Sequence, residues 1–528
     1  MGENKEVSEQ IFRNSPLREE PLNFGCLKTK SWKLRAMLVA VIPKKLVTKQ
    51  LVFVFILQTT SGQYFKQAKS PVLPHNPFIA VWNAPTEQCR LRYKVNLDLS
   101  VFDIFSNSNE TLSGSTITIF YHDHLGKYPY FTKNKVPVNG GIPQNISLKE
   151  HLKKARADIK KVIPVDDFSG LGVIDWEDWR PLWVRNWGHK NIYRKKSIQI
   201  VRKLHPDWPE KKIKLEARKE YENAGWKLMN NTLGLAEKIR PHGLWGFYLF
   251  PDCYNHHYKK DPKKYTGKCP AIEYKRNDKL LWLWEESGAL YPSIYLPLEL
   301  KSSPNALKFV HYRLKEAIRL ASIAIKDYTL PVFAYGRPFY AYEFEPLTQI
   351  DLVHTIGESA AMGTAGIILW GSINYARSKN HCLEVKQYVD GPLGHYIVNV
   401  TSAAKLCSKH LCKSHGRCVR QNINSKTYLH LDSNSFKIQA NPEGMHPRFS
   451  VKGRMNTRDI KVMQKKFTCQ CYEGWIGISC EVPVLEIPSL DKNVHSTVVR
   501  KNSAPLLPFS LATPVVFQLV FQTFYFQN

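Results

Sequence analysis

Asp175 and Glu177 stand two residues apart in the stretch Gly172-Val173-Ile174-Asp175-Trp176-Glu177. Side chains of an extended chain alternate between faces, so the two carboxyls share one side, about 7 Å apart along the backbone. A second carboxylate nearby raises the pKa of one of the pair, the condition for a protonated general acid at working pH. The plainer reading is a solvated acidic turn, since Asp178 follows directly and points the other way. Trp176, Trp179, Trp183 and Trp187 come next. Aromatic faces stack on the C–H faces of sugars, but such residues serve equally as packing between strands and helices. His122 and His124 have the spacing of a metal pair, yet no third ligand is near and a strand context suits surface alternation. Neither Gly-x-Gly-x-x-Gly nor the phosphate-loop pattern occurs, so a nucleotide fold has no support. No metal and no cofactor is implied.

Such a pair needs strands to hold it. Short apolar strand candidates run from Phe78 to Trp370: Phe78–Trp82, Ile117–Tyr121, Leu171–Asp175, Leu244–Leu249, Val332–Tyr335 and Gly366–Trp370. Amphipathic helical stretches at Leu148–Ile159, Trp208–Ile239 and Ala306–Ile323 alternate with them. Apolar strands alternating with helices over some 300 residues predict an α/β fold, a parallel (β/α) barrel rather than a doubly wound sheet. Chemistry then belongs at the C-terminal ends of the strands, where Asp175 falls.

The chain has 528 residues, with 75 Lys and Arg against 45 Asp and Glu; 75 − 45 gives +30. That balance points to a polyanionic partner: nucleic acid, acidic polysaccharide or an anionic membrane face. Paired lysines such as Lys153-Lys154, Lys195-Lys196 and Lys259-Lys260 read as solvated faces, some of which could line a groove for such a polymer. Lys44, Lys45 and Lys49, the apolar Leu51–Leu57 and the small residues Thr59-Thr60-Ser61-Gly62 are the parts of a secretory signal. A buried strand is the rival reading. A start at Met37 would put the charges where a signal needs them and drop Cys26, leaving ten of eleven cysteines. At the far end no charge occurs from Asn502 to Asn528, and Val515–Phe526 is mostly apolar. Small residues, a spacer and an apolar tail suit a lipid-anchor attachment signal; a disordered or interfacial tail is the alternative.

Cys407, Cys412, Cys418, Cys469, Cys471 and Cys480 crowd the C-terminal third. The run CQCYEGWIGISC resembles the end of an EGF-like module, a disulfide-stapled unit with little core of its own. The 50 residues between Cys418 and Cys469 exceed an ordinary EGF loop and predict extra strands at Tyr428–Leu431 and Phe436–Gln439. Sequons at Asn109, Asn145, Asn230 and Asn399 fit a secreted, glycosylated chain. The division expected is 1–62 leader and signal, 63–395 barrel, 396–485 EGF-like module, and 486–528 linker and tail.

Longer segments carry a family likeness. Asn83-Ala84-Pro85-Thr86, Val173–Pro181, Leu244–Tyr254, Ala289–Tyr295 and Gly357–Gly371 resemble the animal hyaluronidases over about residues 70–480. Tyr254–Lys260 and the apolar tail bring the likeness nearest to the sperm-surface members. The resemblance implies a distorted barrel with an EGF-like module that hydrolyses β-1,4 N-acetylhexosaminide bonds of hyaluronan with retention. By position, Glu177 matches the proton donor and Asp175 the partner that holds the substrate's acetamido group, which is itself the nucleophile. Tyr248 matches a tyrosine donating to the acetamido oxygen region. Tyr291 and Trp370 match pocket residues for N-acetylglucosamine, with Tyr335 and Arg180 beside them. The resemblance also pairs Cys89 with Cys382, Cys253 with Cys269, Cys407 with Cys418, Cys412 with Cys469 and Cys471 with Cys480, leaving Cys26 as the spare.

Two other functions stand beside this one. One is a chondroitin-preferring hydrolase, against which Ser293-Ile294-Tyr295 resembles the hyaluronan-cleaving members. The other is a sperm-surface adhesin that binds hyaluronan without turnover. A secreted, disulfide-bonded chain excludes nucleic acid and leaves an extracellular or cell-surface site of action, with a lipid anchor on the sperm plasma or acrosomal membrane as the expectation.

Overall fold

The computed structural model describes residues 65–105, 114 and 116–484. The signal segment with Met37 and Cys26, the sequon at Asn109 and the tail from Asn502 lie outside the described residues. No helix among the described residues is long and apolar enough to cross a membrane.

Seven parallel strands form the barrel wall: β1 (Ile79–Asn83), β2 (Ile104–Phe105), β3 (Ile117–Tyr121), β4 (Leu171–Asp175), β5 (Leu244–Phe247), β6 (Phe333–Gly336) and β7 (Gly366–Trp370). They pair in the orders β2-β1-β7-β6 and β3-β4-β5. Residues 290–293 join the two sets by parallel bridges, Leu290 to Val332, Ser293 to Tyr335 and Tyr291 to Tyr248. This eighth wall element is no regular strand because Pro292 has no N–H for a ladder. Among the described residues β2 and β3 do not pair, which makes the barrel distorted.

Six of the seven strands are where apolar runs predict them, with ends shifted by a residue or two; the short β2 is not among the predicted runs. Leu244–Leu249 stops early: Leu249 has a φ of +74°, a conformation that no strand accommodates. Period two sorts the side chains. Ile79, Val81, Ile117, Ile119, Leu171, Val173, Phe333 and Ile368 fill the lumen. Ile174, Trp176, Trp245 and Phe247 face the helices. Gly246 faces the lumen too, and a Cβ there would come within 3.0 Å of the Tyr291 ring and 2.3 Å of the Ala289 carbonyl oxygen.

The helix Leu148–Val162 begins at Ser147, whose hydroxyl accepts from the Glu150 N–H, and buries His151, Ala155 and Ile159 along one face. Glu210–Ile239 and Pro304–Ala324 cover the sheets further on, the second with proline at its first turn.

The C-terminal part holds the antiparallel pair Gly416–Arg420 with Phe467–Cys471 and a hairpin of Phe436–Ala440 with Phe449–Gly453. A capped helix, Thr457–Lys466, fills the rest of the long intercysteine gap. Tyr428–Leu431 is not a strand. The Leu431 N–H donates to the Asn399 side chain and His430 meets the Tyr396 hydroxyl, so side chains rather than a ladder hold the segment. The helix Gly394–Leu411 runs across residues 395 and 396 and carries Cys407. Five disulfides join Cys89–Cys382, Cys253–Cys269, Cys407–Cys418, Cys412–Cys469 and Cys471–Cys480, the pairs that the resemblance implies. Of the sequons, Asn145 is exposed, while Asn230 and Asn399 are half-buried.

A buried triad of His311, Glu358 and Arg420 ties this part to the barrel. Glu358, 0% exposed, lies 2.7 Å from the His311 Nδ1 on one side and 2.5 Å from the Arg420 guanidinium on the other. Removing one partner of a buried pair strands the other charge, at a cost of about 3–5 kcal/mol. Arg420→Leu is expected to lower the unfolding free energy by that amount in urea titration; an unchanged midpoint would show that the triad does not join the two parts.

Candidate active site

The last lumen-facing residues of the strands converge at one mouth of the barrel. Asp175 ends β4 in register with Tyr121 of β3, and Asn83 of β1 is in register with Trp370 of β7. Tyr248 follows β5, its N–H donating to the Ile174 carbonyl. Its ring lies 5.0 Å from Tyr335 and 5.9 Å from Tyr295, and its hydroxyl donates to the Ser293 Oγ at 3.4 Å. Ser293 is held from behind, since Arg313 donates to its carbonyl at 2.9 Å while binding Asn255 through Nε. Tyr295 stacks on Trp370 at 6.0 Å, and the Trp370 indole N–H donates to the Tyr121 hydroxyl at 3.2 Å. The buried Arg337 guanidinium lies 5.3 Å from the Trp370 ring and 5.7 Å from that of Tyr295.

The carboxylate pair occupies two environments. Asp175 is enclosed by this aromatic ring, whereas Glu177 projects past the strand end with 54% of its side chain exposed. Burial first, then the charge of Glu177, holds the Asp175 carboxyl well above the usual carboxylate range, with Arg180 opposing. Burial likewise raises the Tyr248 hydroxyl, and the Glu177 charge adds to it. A carboxyl that keeps its proton and a phenol that stays protonated are both available as hydrogen-bond donors.

Three polar groups at this mouth are buried without a hydrogen-bond partner: the Asp175 Oδ1, the Tyr335 hydroxyl and the side-chain amide of Asn83. Buried polar atoms are nearly always paired, so a cluster of unmet groups marks where a polar ligand completes the bonding. The aromatic wall beside them is suited to a sugar ring.

Behind Glu177 the chain is held by cations. Arg180 Nη1 donates to the Glu177 carbonyl at 2.9 Å, and its Nη2 lies 3.8 Å from the Glu177 carboxylate. Lys190 donates to the same carbonyl and, at 3.2 Å, to that of Asp178. Burial and the Arg180 charge bring the Lys190 ammonium down to about 7, against the pull of Glu177 and Asp178.

Asp175, Glu177, Tyr248, Trp370 and Tyr335 therefore come together as expected, and Arg180 stands behind Glu177. Tyr291 does not join them. It is 0% exposed in the lumen, its hydroxyl donates to the Leu244 carbonyl at 2.6 Å, and its ring stacks on Phe333. Tyr295, four residues on, takes the place at the mouth. Trp176, Trp179 and Trp183 are buried packing: Trp179 stacks on Tyr128 and donates to the Pro129 carbonyl. His122 pairs with Asp178 at 3.2 Å and His124 lies 3.6 Å from Asp123, so the two histidines face different partners.

The raised Asp175 pKa has a consequence for stability. In the unfolded chain the carboxyl titrates near the ordinary value of about 3.9. From about pH 4 upward the folded state keeps a proton that the unfolded state has lost, so stability falls with rising pH until the folded pKa is passed. Asp175→Asn is expected to melt above the parent at pH 7.5, by about 1–3 kcal/mol, with the gap closing towards pH 4. A gap independent of pH would mean that Asp175 does not titrate across this range.

A family model described as hyaluronidase, glycoside hydrolase family 56, matches residues 67–484. A hyaluronidase of Crotalus adamanteus is 56% identical over 425 residues, covering 80% of this chain and 95% of the relative. One of Echis ocellatus is 55% identical over the same length and the same shares. Among solved structures, bee venom hyaluronidase aligns with a TM-score of 0.55 at 32% identity, over 61% of this chain and 99% of the other. The bee venom enzyme in complex with a hyaluronic acid tetramer aligns with the same score at 33% identity, over 61% of this chain and 98% of the other.

Proposed function

The chain belongs to the hyaluronidase family of glycoside hydrolases, and from that premise we propose that it cleaves hyaluronan internally at the β-1,4 bonds between N-acetylglucosamine and glucuronate, with retention. The observation that carries this is the exposed Glu177 carboxyl beside a buried, hydrogen-bond-deficient cluster of Asp175, Tyr335 and Asn83.

The carboxyl pair carries one proton, held by Asp175 in the free site; with the acetamido N–H donating to Asp175 the proton resides on Glu177, which donates it to the glycosidic oxygen as that bond breaks. The acetamido oxygen of the same N-acetylglucosamine attacks the anomeric carbon, closing a cyclic intermediate, so no second enzyme carboxylate is needed as nucleophile. Asp175, through its unpartnered oxygen, accepts from the acetamido N–H as positive charge develops there. The Tyr248 hydroxyl donates to the acetamido oxygen and orients it. Glu177 then takes a proton from water, whose oxygen opens the intermediate, and the acid is restored. Trp370 and Tyr295 hold the sugar face; Tyr295 is assigned this role in place of Tyr291. Lys153, Lys154, Lys195, Lys196, Lys259 and Lys260 are all exposed, which supports attraction of a polymer bearing regular carboxylates.

Glu177→Gln is expected to lower the release of reducing ends from hyaluronan by about 10³-fold or more while leaving the melting temperature near that of the parent. Turnover unchanged by this substitution sinks the assignment. Parallel digestion of chondroitin is expected to be slower than that of hyaluronan, and faster digestion would favour the chondroitin reading.

The five disulfides fit an oxidising, extracellular setting. We further propose that Val515–Phe526 is exchanged for a lipid, which the charge-free tail supports, and that the enzyme helps sperm through the egg's hyaluronan matrix, a reading that rests on the likeness of Tyr254–Lys260 and the tail to the sperm-surface members. Phospholipase C is expected to release activity from intact sperm, and activity retained on the membrane with the tail still attached counts against it.

A further inference from the structure

Glu177 lies beyond the end of β4, where no ladder fixes the chain. No main-chain hydrogen bond outside the strands and helices involves Glu177 or Asp178. Their carbonyls are held instead by side chains: Arg180 and Lys190 meet at the Glu177 carbonyl, and Lys190 alone reaches on to that of Asp178. The two cations differ in what else they touch. Arg180 also approaches the Glu177 carboxylate, so its loss would change both the placement and the electrostatics of the acid.

Lys190 donates its hydrogen bonds only to backbone carbonyls, although its charge is also felt by Glu177 and Asp178, and it comes from a fixed point. It ends the short 3₁₀ turn Gly188–Lys190 and immediately precedes the helix Asn191–Leu204. The turn is reached through Asn186, whose side chain accepts from the Arg180 N–H and donates to the carbonyls of Arg180 and Leu182. The ammonium thus fastens the loop that carries the acid to the start of a helix. In its protonated form, the state held below about pH 7, Lys190 donates hydrogen bonds roughly twice as strong as neutral ones.

We propose that Lys190 is a positioning residue for the hydrolysis, a cationic tether that holds the backbone of Glu177 so that its carboxyl stands over the glycosidic oxygen. The proposal rests on the assignment of Glu177 as the acid. A tether of this kind acts on the chemical step rather than on polymer binding, and a displacement of about 1 Å at a catalytic group can cost about 100-fold.

The experiment measures kcat, KM and melting temperature on hyaluronan for the parent, Lys190→Met and Lys190→Arg. Lys190→Met is expected to lose about 10- to 100-fold in kcat with KM within about twofold of the parent. Lys190→Arg keeps a charged donor and is expected to be at least threefold faster than Lys190→Met. A kcat loss below fivefold, a loss confined to KM, or an arginine variant no better than the methionine variant overturns the proposal. If Lys190→Met does not fold, Lys190→Gln is judged by the same thresholds. Turnover by the parent and its absence in Glu177→Gln test the family mechanism separately, so the ratio of each variant to the parent reports on Lys190 alone.

Discussion

The carboxyl of Asp175 is buried at the mouth of the lumen with one oxygen unpartnered, and much of the surrounding structure is what keeps it there. A buried polar atom without a partner costs about 1–3 kcal/mol, so such a group persists only where its neighbours cannot rearrange. The parallel register of β3 with β4 sets Tyr121 against it, and the stacked pair of Tyr295 and Trp370, with Arg337 close to both rings, forms the wall. Below this layer the lumen is packed with aliphatic and aromatic side chains. Catalytic sites commonly trade stability for function in this way.

The same enclosure divides the labour between two like residues. Asp175 and Glu177 share one chemistry, but burial separates them: one carboxyl is held where it keeps its proton, the other reaches into the open cleft. The loop carrying Glu177 has no ladder of its own, and its order comes from Arg180, Lys190 and Asn186. The cysteine-rich part is joined to the barrel through the Glu358 triad. Its side chains also share a continuous apolar cluster with Ala80 and Trp82 of β1. It is therefore part of the barrel's packing as well as an appendage to it.

The strands were legible because a barrel wall leaves apolar runs bounded by turn residues, and the alternation of side chains placed Asp175 and Glu177 on one side. Period two has a blind spot, which Tyr291 exposes. Tyr291, Ser293 and Tyr295 share one parity, and only the register of residues 290–293 against β5 and β6 decides which of them reaches the mouth. That register is a property of pairing between distant segments, invisible in a local pattern. Tyr428–Leu431 misleads for a related reason: it alternates like a strand, yet its hydrogen bonds go to side chains of a helix. Lys190 and Arg337 gave no signal at all. One looked like an ordinary surface lysine and the other like a loop arginine; contacts with the acid's backbone set the first apart and burial the second.

The disulfide between Cys89 and Cys382 spans 293 positions of sequence, yet both half-cystines are buried close to where β1 and β7 lie side by side. Between those two points runs most of the barrel, including every carboxylate and aromatic residue of the mouth; only β1, with Asn83, precedes them. A protease that severs one exposed loop anywhere inside that interval leaves two pieces still joined covalently and still paired through neighbouring strands. A nick there is a repairable injury in the mechanical sense: the halves have nowhere to diffuse.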